Sequence, residues 1–233
     1  MPRISGSVFC STKLRPNDTV RYEAEMPALR DMDIRTAAMG RLLMHARSCP
    51  HTRIVEELGL SHGSARVDIA VINGHIRGIE IKAEADTLIR LPRQVSAYGR
   101  VVDRATLIAA ERHIEGASAQ LPDWWGVIEA RRGANGAVVF RRLRHEKANR
   151  DLDPITLARL LWRPEVTELL RQLGANESLL RAPRTFLYAE LVAALPLTRL
   201  RQVVRETLKF RENWRDRMRP LSYGGLFQPN AKC

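Results

Sequence analysis

Residues 66–82 contain two short apolar runs, rich in β-branched side chains, on either side of an Asn73-Gly74 pair. Such a pattern is typical of a β-hairpin. Charged residues interrupt it at three positions, Asp68, Glu80 and Lys82. A charge in a strand that is otherwise apolar is costly to bury unless it is paired or binds a metal. The hairpin is therefore the first candidate for a functional site.

The rest of the chain predicts helices and strands in mixed order. Apolar residues at helical spacing, with Asp31 or Asp33 as cap, predict a first helix over 33–47. Strands are predicted at 53–60, 105–110, 124–130 and 137–143, and further helices at 92–102, 154–162, 164–173, 183–195 and 196–218. These elements indicate an α/β (α+β) fold, with a mixed sheet flanked by helices and a C-terminal all-helical extension.

The same pattern divides the chain into three segments. We expect a loosely ordered tail over 1–30, a core over 31–148 and a helical extension over 149–233. Met26 and Met32 leave open a natural start further into the chain. No apolar run approaches a membrane span, and the N-terminus lacks the apolar core of a signal peptide. We therefore expect a cytoplasmic protein.

The hairpin turn decides whether the acidic side chains meet. Side chains alternate along a strand, so Glu80 and Lys82 share one face. A two-residue turn at Asn73-Gly74 would place Asp68 on the opposite face. That turn would separate the two carboxylates.

A bulged loop would bring them together. With three loop residues and Gly74 in the left-handed conformation, Val71 pairs with His75 and Asp68 lies opposite Gly78. Both carboxylates then lie on one face of the hairpin. We predict this bulged loop.

The preceding strand offers a third carboxylate. If 61–64 form a four-residue loop, Leu60 pairs with Ala65 and Glu57 lies opposite Asp68. Carboxylates on one surface repel each other unless a cation lies among them, and oxygen ligands suit Mg²⁺ or Mn²⁺. We predict a metal site here, in which the place of Glu57 depends on the assumed loop.

An ordered set of motifs accompanies the acidic cluster. Asp68 is followed by Glu80-Ile81-Lys82 and then, on the next predicted helix, by Gln94 and Tyr98 at Q-x-x-x-Y spacing. This set resembles the PD-(D/E)XK nuclease superfamily, in particular its RecB-like branch. The wider string over 80–98, with a Trp-Trp-Gly at 124–126, is similar to a small, uncharacterised bacterial family of nuclease-like proteins. The resemblance covers about 31–143 and, more loosely, the helical tail, and Val67 stands where the superfamily usually has proline.

The resemblance implies a restriction-endonuclease-like core that hydrolyses DNA phosphodiester bonds with Mg²⁺ or Mn²⁺. Asp68 and Glu80 would bind the ion, with the Ile81 carbonyl completing the shell. Glu57 is added to this set only by the assumed loop over 61–64. Lys82 would assist the attacking water. The residues assigned to catalysis are Asp68, Glu80, Lys82, Gln94 and Tyr98, of which the last two would orient the substrate or the lysine.

The charge of the chain fits a nucleic-acid partner. The sequence has 38 Lys and Arg against 26 Asp and Glu, a net charge of +12. A basic excess of this kind is typical of nucleic-acid binding, although a solvated surface is the ordinary alternative. The residues that we expect to contact DNA or RNA are Arg66, Arg90, Arg93, Arg201, Arg205 and Lys209.

Each interpretation has a structural alternative. Asp68, Glu80 and Lys82 could form an exposed cross-strand salt bridge, and Gln94 and Tyr98 could be a half-buried helix face.

The competing function is a module on the same fold that binds nucleic acid or a protein partner without turnover, in a defence or repair system. Cleavage of both strands of a duplex usually needs two sites, which leaves a homodimer open.

Overall fold

In the computed structural model, residues 27–60, 63 and 65–211 are described. The first 26 residues of the predicted tail, and the predicted helix after residue 211, lie outside this range. Within it, the strands form a six-stranded sheet in the order β1-β2-β3-β4-β5-β6. The strands are β1 Arg53–Leu60, β2 Ala65–Ile72, β3 Ile76–Lys82, β4 Arg104–Ala110, β5 Gly126–Arg132 and β6 Val138–Arg144.

Strand directions make the sheet mixed. β1, β2 and β3 pair antiparallel, β4 lies parallel to both β3 and β5, and β6 pairs antiparallel with β5. The parallel step from β3 to β4 needs a crossover, which contains a helix, as expected for parallel neighbours. The predicted fold class, a mixed sheet flanked by helices and followed by helices, is confirmed.

Helices cover both faces of the sheet. They are α1 Asp31–Ala37, α2 Met44–Ser48, α3 Leu91–Gly99, α4 Ile114–Ser118, α5 Pro154–Ala158, α6 Arg163–Gln172, α7 Glu177–Leu180, α8 Arg184–Ala194 and α9 Leu197–Phe210. One face packs on α1 through Ile34, Ile69 and Ile79. The other face shares a core with α3 and the C-terminal helices. No helix of the described residues is long and apolar enough to cross a membrane.

Several element ends differ from the predictions. The predicted helix over 33–47 is split by a π-helical segment, Ala38–Leu42. Its N-cap is Arg30, and Asp33 acts one turn later by accepting the Arg30 N–H at 3.2 Å. Strand β5 begins at Gly126 rather than at 124. The short helices α4 and α7 were not predicted, because a single turn carries too little periodicity to recognise.

The hairpin turn also differs in detail. Ile72 pairs with Ile76, so the loop has three residues, 73–75. The N–H of Asn73 donates to the His75 carbonyl at 3.0 Å, and the His75 N–H donates to the Asn73 side chain at 3.1 Å. These bonds close the loop without a left-handed residue, and Gly74 is not among the described glycines with positive φ. The prediction of a left-handed Gly74 is therefore wrong.

The register shifts with the turn. Gly78 lies opposite Ala70, so the predicted pairings of Gly78 with Asp68 and of Val71 with His75 are wrong. The observed register differs from the predicted one by two residues, and a shift of two keeps every side chain on its face. On the other side of β2, Leu60 pairs with Ala65 as predicted. Up to the last pair of the hairpin, Ile69 and Ile79, the paired residues therefore face the sides of the sheet that were predicted.

Candidate active site

A local break in β1 and β2 creates the setting of the acidic residues. Val67 and Ile69 would share a face in a regular strand, yet they pack in the two different cores of the sheet. In β1 the break falls at Glu57, which has a φ of 58°. A positive φ in a residue other than glycine is uncommon, and irregularities of this kind re-aim side chains next to functional sites. The alternation of faces therefore changes at Glu57 and at Asp68.

Asp68 reaches across the gap that opens between β2 and β3. Their pairing ends at Ile69 and Ile79, and one Asp68 carboxylate oxygen, Oδ2, instead accepts the Ile81 N–H at 2.7 Å. Burial of this side chain, with the neighbouring charge of Glu80 adding to it, raises the pKa of Asp68 to about 7. Asp68 is thus a carboxylate that the fold keeps in an unfavourable place, because the charge of Arg35 only partly offsets its burial.

Glu80 is the centre of a buried hydrogen-bond network. Its Oε1 accepts from Lys82 Nζ at 2.7 Å and from Gln94 Nε2. Its Oε2 accepts the hydroxyl of Tyr98 at 2.6 Å. Lys82 Nζ also donates to Gln94 Oε1 at 3.0 Å, so the amide connects the acid to the lysine. Glu80 is 1% exposed and Lys82 is 3% exposed, which makes this a buried ion pair rather than a surface salt bridge.

The position of Tyr98 depends on the small size of Gly78. A Cβ at Gly78 would lie 3.1 Å from the Tyr98 ring and 3.3 Å from Val102. The Tyr98 ring also stacks on Trp125, with 5.2 Å between ring centroids. Burial, with the charge of Glu80 adding to it, raises the pKa of the Tyr98 phenol well above its usual value. The hydroxyl therefore stays protonated and donates to Glu80.

Asp68, Glu80, Lys82 and Gln94 line a cleft of about 550 Å³. The cleft opens where β2 and β3 diverge, and it contains carboxylates, Lys82, Gln94 and several arginines. Its lining residues are Asp31, Arg35, Glu57, Gly63, Ala65, Arg66, Asp68, Glu80, Ile81, Lys82, Asp86, Arg90, Arg93 and Gln94. The structure thus brings together Asp68, Glu80, Lys82, Gln94 and Tyr98, the residues that the sequence assigned to catalysis.

Arg35 is a cleft residue that the sequence did not reveal. It lies on α1 and donates to the backbone carbonyl of Asp68 at 2.9 Å. It also forms an ion pair with Asp31 one turn earlier, at 3.1 Å. In the sequence, Asp31 and Arg35 stand four residues apart, the ordinary spacing of a surface ion pair on a helix. That spacing gave no reason to connect Arg35 with the hairpin.

Glu57 and its neighbour Glu56 both reach Arg35. The distances to the guanidinium are 3.4 Å for Glu57 and 3.5 Å for Glu56. Adjacent residues of a regular strand point to opposite faces, so the break at Glu57 allows both contacts. Glu57 also pairs with Arg66 at 3.4 Å. In this structure the Glu57 carboxylate therefore has arginine partners.

The predicted ligand set for a metal ion consists of oxygen atoms. Asp68, Glu80 and Ile81 all line the cleft. Oδ1 of Asp68 accepts no hydrogen bond from the described residues, and its nearest cation is Arg35 at 3.8 Å. Nowhere in the described ranges do three or more His, Cys, Asp or Glu side chains form a group that could hold a metal. A site here would use two carboxylates and a carbonyl, with waters as the remaining ligands, as Mg²⁺ commonly does.

The residues predicted to contact nucleic acid separate into two surfaces. Arg66, Arg90 and Arg93 line the acidic cleft. Arg205 and Lys209 line a second groove of about 770 Å³, at the other end of the hairpin beside Gly74. Arg201 lies near it but forms an ion pair with the buried Asp103. Asp103 also accepts the Ile76 N–H at 2.7 Å, so Arg201 connects α9 to the hairpin.

Comparison with known proteins identifies relatives of this chain. A family model described as "Bacteriophage P4 protein cII" matches residues 26–219. "Protein cII" of Enterobacteria phage P4 is 26% identical over 150 residues, which are 64% of this chain. The aligned part spans 56% of the length of that relative. No solved structure matches the chain.

Proposed function

The chain belongs to the family of the bacteriophage P4 protein cII, and we propose that it is a metal-dependent nuclease that hydrolyses phosphodiester bonds in DNA. The observation that carries the proposal is the buried network of Glu80, Lys82, Gln94 and Tyr98 next to Asp68 in an open cleft. The order of these residues along the chain resembles that of PD-(D/E)XK nucleases.

Lys82 is held where it can act on a water molecule. Two of its donor bonds go to Glu80 Oε1 and Gln94 Oε1. An ammonium group has three N–H donors, so one remains for the attacking water or for an oxygen of the scissile phosphate. Because Glu80 and Gln94 fix the side chain in advance, little entropy is lost when the substrate binds.

Asp68 and Glu80 fit a Mg²⁺ or Mn²⁺ ion. Asp68 carries a carboxylate oxygen without a hydrogen bond from the described residues, and Glu80 lines the same cleft. When bound, the ion would lower the pKa of a coordinated water and neutralise charge on the scissile phosphate. Tyr98 and Gln94 hold the Glu80 carboxylate in one orientation, so they position a ligand and do not react themselves.

The arginines of the cleft support a phosphate-bearing substrate. Arg66, Arg90 and Arg93 lie in the same cleft as the acidic residues. A guanidinium binds phosphate oxygens with paired donors, so a polyanionic strand could enter despite the carboxylates. The net charge of +12 also favours a polyanionic substrate.

A cleavage panel tests the proposal. Full-length protein is incubated with single-stranded and duplex DNA and with RNA, in Mg²⁺, in Mn²⁺ and in EDTA. We expect metal-dependent cutting of DNA that falls by on the order of 100-fold or more in Lys82→Ala. Lys147→Ala, which removes an exposed lysine elsewhere, is the matched control. The proposal fails if no substrate is cut with either metal, or if Asp68→Asn and Lys82→Ala cut as well as the parent.

A second candidate is a nucleic-acid-binding module without turnover. The groove lined by Arg205 and Lys209 favours it, because this basic surface lies away from Asp68 and Glu80. Such a module would bind nucleic acid in a salt-sensitive way and would not respond to EDTA. The same panel, read as binding as well as cleavage, separates the two functions.

A further inference from the structure

The groove beside Gly74 lies between α2 and α9, at the end of the hairpin away from the acidic cleft, and is called the far groove. Its volume of about 770 Å³ is that of pockets for small ligands, so it can accept a few unpaired nucleotides but not a duplex. We propose that the far groove binds unpaired nucleotides of single-stranded DNA. This binding goes beyond the proposed hydrolysis, and only the choice of DNA rests on the proposed function.

The charge of the far groove suits a phosphate backbone. Among its described lining residues are three cations, Arg77, Arg205 and Lys209, against the one carboxylate of Glu206. Arg205 and Lys209 stand four residues apart on α9, which puts them on the same face of the helix. Arg205 is half-buried, yet within the described residues its side chain forms no ion pair or hydrogen bond. The groove therefore carries positive charge that its own residues do not balance, as a phosphate-binding surface does.

Arg77 has hydrogen-bonding capacity that the fold does not use. Its Nη2 pairs with Glu146 at 2.9 Å, whereas its buried Nε has no acceptor among the described residues. Buried donors are rarely left unsatisfied in native structures, and each one calls for an explanation such as a bound water or ion. Arg77 therefore supports, independently of the net charge, a ligand with acceptor oxygens in this groove.

The other lining residues suit bases. Leu42, Leu43 and Val71 supply apolar surface, and His45 and His51 supply imidazole rings that are exposed. Unpaired bases stack on aromatic side chains, histidine included, whereas the bases of a duplex remain stacked on each other. Cations for the phosphates and rings for the bases together favour a single strand over a duplex.

Binding in EDTA tests the histidines without cleavage. Full-length protein is titrated into a short fluorescein-labelled oligo-dT, and fluorescence anisotropy is read with unlabelled oligo-dT, oligo-rU or a duplex of the same length as competitor. We expect the single strand to bind about tenfold or more tightly than the duplex. His45→Ala/His51→Ala should weaken single-strand binding by about tenfold and duplex binding by less than about twofold. His145→Ala removes an exposed histidine outside the groove and should bind like the parent.

The same assay tests the cations. Arg205→Gln/Lys209→Gln should weaken single-strand binding by about tenfold. Arg181→Gln/Arg184→Gln removes the same charge from exposed positions outside the groove, so it should change this affinity by less than about threefold. Equal losses in the two double variants would assign the effect to net charge and overturn the role of the groove.

The outcomes separate this inference from the nuclease. A single-strand preference that depends on His45 and His51 supports it even if no substrate is cut. A parent that binds duplex as tightly as single strand, or a folded histidine double variant that binds single strand like the parent, overturns it even if DNA is cut. Oligo-rU that competes as well as oligo-dT overturns the choice of DNA.

A measurement on the parent covers the case in which a variant does not fold. Circular dichroism establishes the folding of each variant. An iodouracil-substituted single strand is crosslinked to the parent by light, and the linked residues are mapped by mass spectrometry. We expect crosslinks at His45 or His51. Crosslinks confined to the acidic cleft would overturn the inference.

Discussion

Asp68 and Glu80 are both largely buried carboxylates, but the structure gives them opposite surroundings. Glu80 accepts hydrogen bonds from Lys82, Gln94 and Tyr98. Asp68 accepts one backbone N–H, and burial together with the charge of Glu80 raises its pKa to about 7. Without a metal ion, the charge of Glu80 is therefore balanced by Lys82, whereas ionised Asp68 destabilises the fold, because the charge of Arg35 only partly offsets its burial.

This difference predicts opposite effects of two isosteric changes on stability in EDTA. Above pH 7, Asp68 is ionised in the folded protein despite its raised pKa, and this ionisation lowers the free energy of unfolding. The loss is absent at low pH and grows as the pH rises from about 4 to 7. Asp68→Asn should therefore raise the free energy of unfolding at pH 8 by about 2 kcal/mol. Its effect should be much smaller at pH 4.

Glu80→Gln should do the reverse. The amide leaves the Lys82 ammonium buried without its charged partner, and such a loss costs about 3 kcal/mol. Urea unfolding of both variants measures the two effects. A destabilised Asp68→Asn variant at pH 8 would contradict the assignment of Asp68 as a carboxylate held for binding.

Single residues also show what the sequence could reveal. Asp68, Glu80, Lys82, Gln94 and Tyr98 could be found, because charges in an apolar hairpin and helical spacing are visible in the sequence itself. Arg35 could not be found, because its contact with Asp68 joins residues 33 positions apart and leaves no local pattern. The contact of Glu56 could not be found either, since it depends on the positive φ of Glu57.

At the scale of elements, most strands and helices followed from periodicity and capping signals. The strand over 53–60 matches β1, and the Asp153-Pro154 pair begins α5 as predicted. The hairpin register was wrong because it depends on the loop hydrogen bonds of Asn73, and the strand sequences alone do not fix these bonds. The predicted faces of the two strands were nevertheless correct, only because the register error was an even number of residues.

The cap of α5 gives a pH-dependent prediction. Burial opposes ionisation of Asp153, but hydrogen bonds from Thr156 and Ile155 outweigh it and lower the pKa of the carboxyl below 3.8. Its contribution is therefore complete above pH 4 and is lost as pH falls through the lowered pKa. Asp153→Ala should cost about 1 kcal/mol at neutral pH and less at pH 2.

Asp153→Asn is the matched variant for this test. Asparagine caps helices as well as aspartate does but carries no charge. We expect it to keep most of the stability at pH 7 and to lack the pH-dependent part. Urea unfolding at the two pH values measures the difference. Equal losses for both variants at pH 7 would show that the charge, rather than the cap geometry, carries the effect.

For the whole molecule, the two basic surfaces should contribute differently to nucleic-acid binding. The arginines at the acidic cleft lie close to the carboxylates, whereas Arg205 and Lys209 line a groove at the far end of the hairpin. Burial lowers the pKa of His75 at that end, and the charges of Arg104, Arg205 and Arg77 lower it further against the opposing charge of Asp103. Among the described residues, Arg77, Arg205 and Lys209 line the far groove, against one carboxylate, that of Glu206.

We predict that this groove adds to affinity without determining cleavage. Arg205→Gln/Lys209→Gln should weaken DNA binding and reduce the slope of log K against log salt by about two. The cleavage rate at saturating DNA should stay within about twofold, since these residues lie outside the acidic cleft. Arg199→Gln, on the same helix but outside the groove, is the control. An unchanged slope in the double variant would exclude the groove as a phosphate-contact surface.

The order of the sheet has a consequence for how the protein is made. Each strand lies beside the strand that precedes it in the chain. Pairing between near neighbours closes short loops, which carries a small entropy cost and favours rapid folding. The residues that line the acidic cleft all fall between Asp31 and Gln94. During synthesis from the N-terminus, every one of these side chains leaves the ribosome well before α5–α9, whereas the core that holds α3 is completed only when those helices follow.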